Sequence, residues 1–477
     1  MRDKFLWIGC LIYAALFSWL GSLKYSAHRN FVDFGIFAQT VTSAFGCFCN
    51  PIEGSHWAFH FSPILYPVGL AVWLVHSPLT LVVLQAAAGA LVAPPVYAIV
   101  RARRDIATAR LAGVVAWLYP PLAGLIFGDF HENGFAPAAV AWTLYFYDSG
   151  LLLWTVIAAL ITLAIKEDQA IFLAIAGTLG AWRDRGTKRG RVALAIAFCS
   201  ILVLAVFFSI IAPHAAAHGR TAWQPVRFYA WSASDVLALG GGIVERLGFL
   251  LLIFVPLLFL PFRSGMIWLA VAPLGEVLLS RMPTTFTLGT HYAGAWIGYV
   301  LTAFAFAVRD LKTRRVYTVL AACVALCALE FAVADPLHPS LNLRWAQPRD
   351  AALDRFLQTL PADAGVATQE EAYTHLALVD PYVWLLPESS SEAARACFIL
   401  IDRSFPDSPR LQEYGAALQR LVREGRYVLV ATSDGIELYR SASKCMSASS
   451  ARAGQSSAAR TTRCGAAQGA HRATCNS

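Results

Sequence analysis

Charged side chains are scarce in this sequence. They make up 14% of its 477 residues, whereas 57% of the residues are hydrophobic. An ordinary soluble domain carries about 25% charged residues. Apolar runs recur over most of the first 335 positions, and a run of about 20 apolar residues forms a helix that crosses a bilayer. The composition therefore excludes an ordinary soluble protein and predicts a helical membrane protein with many crossings.

The sequence also lacks the patterns that mark zinc and nucleic-acid binding. Its ten cysteines include no pair of CxxC motifs, so we predict no structural zinc site. Five of the basic residues behind the net charge of +8 lie in an acid-free tail from Ser441 to Ser477. This tail and basic cytoplasmic loops account for the excess charge, and we predict no nucleic-acid partner. Cys47 and Cys49 form either a disulfide or two unpaired packing thiols.

Basic clusters predict the orientation in the bilayer. Arg2 and Lys4 precede the first apolar segment, and further clusters lie at 101–104, 183–191 and 309–315. Cytoplasmic loops are enriched in Lys and Arg. We therefore predict a multi-pass protein of the cytoplasmic (inner) membrane, with its N-terminus inside.

The fold class predicted from this pattern is an all-α polytopic bundle of about eleven transmembrane helices within residues 1–340. The third crossing is expected at about Ile106–Leu122, the fifth at Leu151–Ile165 and a later one near 266–280. The outer loops are expected at 24–78 and 213–245. The apolar segment 63–76 is too short to cross the hydrocarbon core, so we expect it to be re-entrant or to lie at the interface. An odd number of crossings places the C-terminus outside.

The composition changes after residue 340. Short apolar runs alternate with helix-like stretches over 341–440, which predicts a small extracytoplasmic α/β domain. Asp434-Gly435 is a typical hairpin turn. Residues 441–477 are rich in Ser and Ala and are expected to be disordered.

Ionisable residues interrupt the apolar sequence at three places. Charges at the ends of membrane segments are costly and by default indicate function. The predicted topology brings all three places to the outer face. They are Phe31–Gln39, Asp129–Glu132 and Lys166–Asp168.

Asp33 is the first candidate catalytic residue. A carboxylate can deprotonate or orient an acceptor hydroxyl in a group transfer. The alternative is structural, because Asp33 precedes an apolar run and could cap the helix N-terminus.

Asp129 and His131 are the other predicted catalytic residues, and Glu132 is a predicted substrate-binding residue. One interpretation is a divalent cation held with His56 and His60. The second is metal-free polar participation, and the third is a solvated cap of the next helix. We assign no metal ligand and no certain cofactor, and a divalent cation stays open.

Further substrate-binding residues are expected in the outer loops. Lys166 could contact a phosphate with Glu167 and Asp168 orienting it, or the three could form an ordinary interfacial charge cluster. The remaining candidates for phosphate or sugar contacts are Arg220, His291 and Tyr292.

Five motifs together resemble a known family: FVDFGIFAQ, HFSPILYPVG, SPLTLVVLQ, DFHENG and KEDQAIF. In this order they are similar to the prokaryotic multi-pass membrane family designated domain of unknown function 2079, over roughly residues 25–440. This sequence departs from the family pattern at Ala38, where relatives tend to carry a second acid, and at Asn133, near a usual proline.

The layout is also similar to the GT-C superfamily of membrane glycosyltransferases. This second resemblance implies a polyprenyl-phosphate-linked sugar as substrate and an outer-loop carboxylate near the acceptor. It rests on analogy of fold, so whether the chain is an enzyme stays open. A transporter or lipid flippase and a non-catalytic envelope scaffold are the alternatives. The sequence predicts no oligomeric state.

Overall fold

The computed structural model of the chain is mainly helical and forms two compact units, Met1–Trp345 and Ala346–Ser477. The structure describes residues 3–216, 229, 233–312, 315–338, 343–361, 364–378, 383–386, 396–405 and 409–443, with backbone only at 233–241 and 409–413. Most of the predicted outer loop 213–245, including Arg220, lies outside the described side chains, as does the predicted tail from residue 444 onward.

The first unit is a bundle of helices. Sixteen α-helices lie in its described part: α1 Lys4–Ser26, α2 Val32–Thr42, α3 Leu65–Val75, α4 Leu79–Ala90, α5 Ala93–Arg101, α6 Ile106–Leu118, α7 Pro120–Phe127, α8 Ala136–Ser149, α9 Leu152–Leu163, α10 Glu167–Arg183, α11 Lys188–Val206, α12 Ala212–Ala216, α13 Ala233–Phe254, α14 Val271–Leu279, α15 Gly294–Asp310 and α16 Val316–Val333.

Five helices among the described residues are long and apolar enough to cross a membrane, or six if one bent pair counts as a single span. The predicted total of eleven crossings is not confirmed. Several predicted crossings are short helices, such as α9 with 12 residues. At 1.5 Å per residue, α9 is about 18 Å long, against a hydrocarbon core of about 30 Å. The segment predicted to lie at the interface contains α3, which has 11 residues.

A proline pair breaks the third predicted crossing. Helices α6 and α7 meet at an angle of 47°, and α7 starts at Pro120-Pro121. Proline lacks the N–H that would continue a helix and clashes with the preceding turn. Tyr119 has the extended backbone that a residue before proline prefers. The bend leads α7 into the segment that carries Asp129 and His131.

Helix α15 forms the centre of the first unit. All its residues from Gly294 to Val308 are buried. Two glycines permit close approach to α8 and the turn before it. A Cβ at Gly294 would lie 2.3 Å from the Asn133 carbonyl oxygen, and one at Gly298 would lie 2.8 Å from the Pro137 carbonyl oxygen. This packing fixes the start of α15, just after His291, against the segment that contains His131.

The three basic clusters meet at one end of the bundle. Arg103 Nη1 lies 2.7 Å from Asp310 Oδ1. Arg309 Nη1 lies 2.9 Å from the Asp148 carboxylate, and Arg189 Nη2 donates to the Asp148 carbonyl oxygen at 2.9 Å. Helix α10 starts at the Lys166 cluster and ends beside this basic end, and its 17 residues span about 25 Å. The acidic and basic clusters therefore lie at opposite ends of α10.

Two short strands of the first unit, β1 Cys49–Asn50 and β2 Gly54–Ser55, form an antiparallel pair. The described strands of the second unit are β3 Val366–Thr368, β4 Val383–Leu385, β5 Phe398–Asp402, β6 Tyr427–Ser433 and β7 Ile436–Ser441. They form a five-stranded sheet of order β4-β3-β5-β7-β6. Strand β3 is parallel to β4 and β5, and β7 is antiparallel to β5 and β6. The predicted turn is confirmed, since Ser433 pairs with Ile436 across Asp434-Gly435 and both turn residues have positive φ. The described helices of the second unit are α17 Pro348–Thr359, α18 Glu370–Leu376 and α19 Pro409–Arg423.

Candidate functional site

Helix α2 positions Asp33 in its first turn. Phe31 occupies the N-cap position, and no side chain caps this helix end. The Asp33 carboxylate instead approaches His291, with Oδ2 3.4 Å from Nδ1, and 39% of its side chain is exposed. The observed contact does not have the geometry of a helix cap. The Asp33 carboxylate is therefore positioned by His291 and is still accessible.

The surroundings of Asp33 keep it ionised. Burial would raise its pKa, but the hydrogen bond to His291 and the electrostatic interaction with the imidazoles of His291 and His131 lower the pKa below its ordinary value. A carboxylate that accepts a hydrogen bond and faces imidazoles favours the charged form. Asp33 is therefore a base, not an acid, at neutral pH.

Two stacked imidazoles connect Asp33 to a buried carboxylate. The rings of His131 and His291 are 3.9 Å apart and inclined by 9°. His131 Nδ1 lies 2.9 Å from Glu132 Oε2, and both residues are buried. Burial lowers the pKa of His131 to about 3, although Glu132 opposes the shift. His131 is therefore a neutral imidazole at neutral pH.

Glu132 is fully buried and lies between His131 and Lys166. Its Oε1 is 3.8 Å from Lys166 Nζ. Burial would raise the pKa of Glu132, but His131 and Lys166 lower it well below the usual range. Ser62 Oγ also donates to Glu132 Oε1, at 3.4 Å. An ionised carboxylate at this depth requires such partners.

Lys166 and the acids after it form the start of α10. Lys166 is the N-cap residue, and Glu167 and Asp168 occupy the first turn, where the helix dipole favours acids. Burial would lower the pKa of Lys166, but Glu132, Asp168 and Glu167 raise it above its ordinary value. Burial, then the neighbouring carboxylates Glu167 and Glu132, raise the pKa of Asp168 to about 6, against the effect of Lys166. Lys166 is thus a buried cation held among carboxylates.

Glu167 fixes the segment before α3 against α10. Its Oε1 lies 2.9 Å from His60 Nδ1, and its Oε2 accepts the Phe61 N–H at 2.9 Å. Burial and Lys166 lower the pKa of His60, but Glu167 raises it more, so the net shift is upward. The predicted residue Glu167 therefore holds the segment that also brings Ser62 to Glu132.

Asp129 has different neighbours from the rest of the predicted catalytic set. Its Oδ1 accepts from Lys24 Nζ at 2.8 Å and from Asn30 Nδ2 at 3.0 Å, and its Oδ2 accepts from the Phe31 N–H at 2.6 Å. Only 9% of its side chain is exposed. These contacts tie the end of α1 and the start of α2 to the segment after α7. The catalytic role predicted for Asp129 remains a prediction, and its contacts are those of an anchor.

The structure thus brings most of the predicted residues into one row. The row consists of Asp33, His291, His131, Glu132, Lys166, Glu167 and Asp168. Tyr292 lies beside it, with its ring 4.1 Å from that of His291. Arg220 lies outside the described residues.

Four residues that support the row or its anchor Asp129 were not among the predicted site residues. Gln85, a lone amide in apolar α4, accepts the His131 N–H at 3.0 Å and donates to the Ile126 carbonyl oxygen at 3.1 Å. Lys24 and Asn30 hold Asp129. Glu276, an acid inside a predicted crossing, lies close enough to Asp168 and Lys166 to interact electrostatically. A polar side chain inside an apolar helix was the signal that could have identified Gln85 and Glu276.

The candidate metal ligands do not converge. In the described part of the chain, no three of His56, His60, Asp129, His131 and Glu132 have their ligand atoms within 4.8 Å of one another. The oxygens of Asp129 already accept hydrogen bonds. No cofactor is established, and a divalent cation stays open.

Comparison with known families assigns this chain to a family of membrane proteins. A family model described as "Predicted membrane protein (DUF2079)" matches residues 20–438, so the chain belongs to that family. This confirms the resemblance drawn from the five motifs. A search of curated proteins found no significant match.

The fold of this chain is similar to the fold in two solved structures of ArnT. ArnT from Cupriavidus metallidurans bound to undecaprenyl phosphate is 14% identical, with a TM-score of 0.54 over 92% of this chain and 98% of that chain. Apo ArnT is 15% identical, with a TM-score of 0.52 over 91% and 97%. The Archaeoglobus fulgidus oligosaccharyltransferase with Zn and sulfate is 14% identical, with a TM-score of 0.44 over 92% and 73%. At these identities the likeness to ArnT concerns the fold alone.

Proposed function

We propose that this protein is a glycosyltransferase that uses a polyprenyl-phosphate-linked sugar at the outer face of the cytoplasmic membrane. The observation that carries the proposal is the ionised, accessible Asp33 at one end of a buried polar row that leads to Lys166. The fold likeness to ArnT, which was solved with undecaprenyl phosphate, supports a lipid phosphate as the ligand class. The acceptor would be a hydroxyl of a lipid-linked glycan, an envelope polymer or a protein.

The proposed reaction assigns a role to each end of the row. Asp33 takes the proton from the acceptor hydroxyl as its oxygen forms a bond to the anomeric carbon of the sugar. The bond from that carbon to the phosphate oxygen breaks, and the polyprenyl phosphate leaves with the electron pair. Lys166 stabilises the negative charge that develops on the leaving phosphate. The reaction needs no redox partner.

The middle of the row would position these two ends. His131 is neutral, so it can stack on His291 without the repulsion of two imidazolium charges. His291 in turn holds the Asp33 carboxylate, and Glu132 holds both His131 and Lys166. Groups fixed by such packing lose little entropy when substrates bind. Glu132 and His131 would therefore act mainly through geometry.

The test is donor-lipid binding and transfer by purified protein. Asp33→Asn removes the base but keeps the shape, so it should retain binding of undecaprenyl phosphate and lose about 10²- to 10⁴-fold in transfer rate. Lys166→Ala should weaken the binding itself. Matched controls are Asp434→Asn, in the hairpin turn of the second unit, and Lys188→Ala, which is exposed at the start of α11.

The outcomes separate the function classes. Saturable binding that needs Lys166, with product formation that needs Asp33, supports the transferase. Binding with lipid movement between leaflets and no product would favour the flippase. Absence of lipid binding in wild type and controls would overturn the proposal and leave a scaffold or an unrelated transporter.

A further inference from the structure

A short disulfide loop connects α2 to the segment that contains His60. Cys47 and Cys49 are joined by a disulfide, which decides between the two alternatives left open by the sequence. Cys47 is exposed, whereas Phe48 between the two cysteines is buried. Phe48 has a φ of +48°, a conformation that costs non-glycine residues energy unless the surroundings enforce it. The disulfide spans this one residue and holds it on both sides.

The buried Phe48 ring forms the core of the loop. It packs 5.1 Å from the His56 ring, 5.3 Å from the Trp57 ring and 4.9 Å from the Tyr66 ring. Its carbonyl oxygen accepts the His56 N–H at 2.9 Å. Phe48 therefore binds the loop to the segment that starts at His56 and ends at α3.

That segment is a wall of the candidate site. The His60 N–H donates to the His56 carbonyl oxygen at 2.9 Å. His60 and Phe61 bind Glu167, and Ser62 binds Glu132. The path from the disulfide to the residues beside Lys166 therefore runs through Phe48, His56 and His60 in consecutive contacts.

The other side of the loop adjoins the helix of Asp33. Ser43 is the C-cap residue of α2, and its Oγ accepts the Cys49 N–H at 2.9 Å. The Phe48 N–H donates to the Ser43 carbonyl oxygen at 3.0 Å. The Phe37 ring of α2 also lies 4.6 Å from the His131 ring. The loop thus contacts two elements, α2 and the segment from His56, and each of these contacts the polar row.

We propose that the Cys47–Cys49 disulfide is a redox switch that positions the first outer loop over the candidate site. A dithiol reductant in the outer compartment would donate two electrons and two protons, so that the cysteines become thiols and the reductant becomes a disulfide. Phe48 then loses the restraint on its left-handed backbone and leaves its aromatic pocket. The segment from His56 to Ser62 loosens, and with it the contacts to Glu167 and Glu132. The link to activity rests on the proposed function, whereas the loop opening does not.

The test compares oxidised protein with protein treated with a phosphine reductant. Hydrogen exchange of the peptide covering residues 48–61 is expected to become at least roughly tenfold faster on reduction and to recover on reoxidation, because native amide protection there depends on local stability. The Cys47→Ser/Cys49→Ser variant should exchange fast in both conditions, which controls for any other disulfide. Phe48→Ala keeps the disulfide and should exchange fast even when oxidised.

A second readout connects the loop to the site. Undecaprenyl phosphate binding is expected to weaken about tenfold on reduction in wild type and to stay constant in the double serine variant. Unchanged exchange in reduced wild type would overturn the switch. Faster exchange with unchanged binding would overturn its link to the site. Faster exchange in protein that never binds the lipid would refute the proposed function while the loop switch stands.

Discussion

Asp33 and Asp129 each precede a phenylalanine, and the sequence predicts the same location, the outer face, for both. The structure gives them different surroundings. Asp33 is partly exposed and faces an imidazole, whereas Asp129 is enclosed by three donors. No local sequence pattern separates these cases, because Lys24 and Asn30 are about a hundred positions away from Asp129. Only the packing of α1 beside α7 reveals which carboxylate is available.

A substitution distinguishes the two aspartates by stability. Asp129→Asn leaves Lys24, which is 2% exposed, without its counterion. Breaking one side of a buried ion pair costs about 3–5 kcal/mol, so thermal unfolding in detergent should shift strongly downward. Asp33→Asn should unfold close to wild type. Adding Lys24→Met to Asp129→Asn should restore part of the lost stability. If Asp129→Asn instead unfolds at the wild-type temperature, Asp129 is not a structural anchor and the predicted catalytic role is favoured.

The pKa of Asp168 predicts a pH dependence of lipid binding. Its pKa is raised to about 6, so the carboxyl is charged at pH 7.5 and mostly neutral at pH 5.5. Loss of this negative charge beside Lys166 should strengthen anion binding as the pH falls through 6. We expect a several-fold gain in affinity for undecaprenyl phosphate, beyond any change from the lipid itself.

The control for this dependence is Asp168→Asn, which lacks the titrating group. The variant should show only the pH dependence of the lipid phosphate. Equal slopes in wild type and variant would show that Asp168 does not act on Lys166.

At the scale of elements, close helix contacts hold α2 in place. A Cβ at Gly69 of α3 would lie 2.7 Å from the Val41 carbonyl oxygen and 2.9 Å from the Ala44 Cβ. Gly69→Ala should therefore push α2 away from α3, at a cost of about 1–3 kcal/mol for overpacking. Because α2 carries Asp33, transfer should fall more than lipid binding.

Gly248→Ala is the matched control, since a Cβ there meets nothing within 4 Å. In a helix this change should be neutral or stabilise by up to about 1 kcal/mol. Equal thermal unfolding of the two variants would mean that the α2–α3 contact can relax.

The elements show where sequence patterns succeed and where they fail. The strands of the second unit lie where short apolar runs predicted them, because strand periodicity and turn residues are local signals. The third crossing was predicted as one helix, although Pro120-Pro121 breaks it after Leu118. Short helices such as α9 were predicted as full crossings because apolar runs do not show where a helix ends.

At the scale of the molecule, the predicted orientation can be tested by labelling. We expect Asp434→Cys to react with a membrane-impermeant maleimide on intact cells, because the second unit is predicted outside. Gly186→Cys, in the loop between α10 and α11, should react only after lysis. Native exposed thiols are replaced by serine in both. Reversed labelling would place the candidate site on the cytoplasmic face and remove the proposed donor pool.

The sequence also predicted the convergence of polar stretches from three parts of the chain. The structure brings residues of all three into one row, and Asp129 lies beside the row as an anchor. What the sequence could not predict was the partner of each residue. The His131–His291 stack and the His60–Glu167 pair join distant segments, and their spacing in sequence carries no periodic signal. The clusters of ionisable residues could be found from the sequence because charged residues are scarce. Which of these residues contact one another depends on the packing of the helices.

Because His131 stacks on His291, the site cannot be completed until the chain has been synthesised beyond residue 291. Asp33, His131 and Lys166 all emerge from the ribosome well before His291. At about 5–20 residues per second, the residues between positions 131 and 291 take on the order of ten seconds to be made. For that interval the nascent chain holds an incomplete site in the bilayer, and Asp33 lacks its imidazole. Helix α15 is central to the bundle, and the segment just before it is the part of the chain that completes the site.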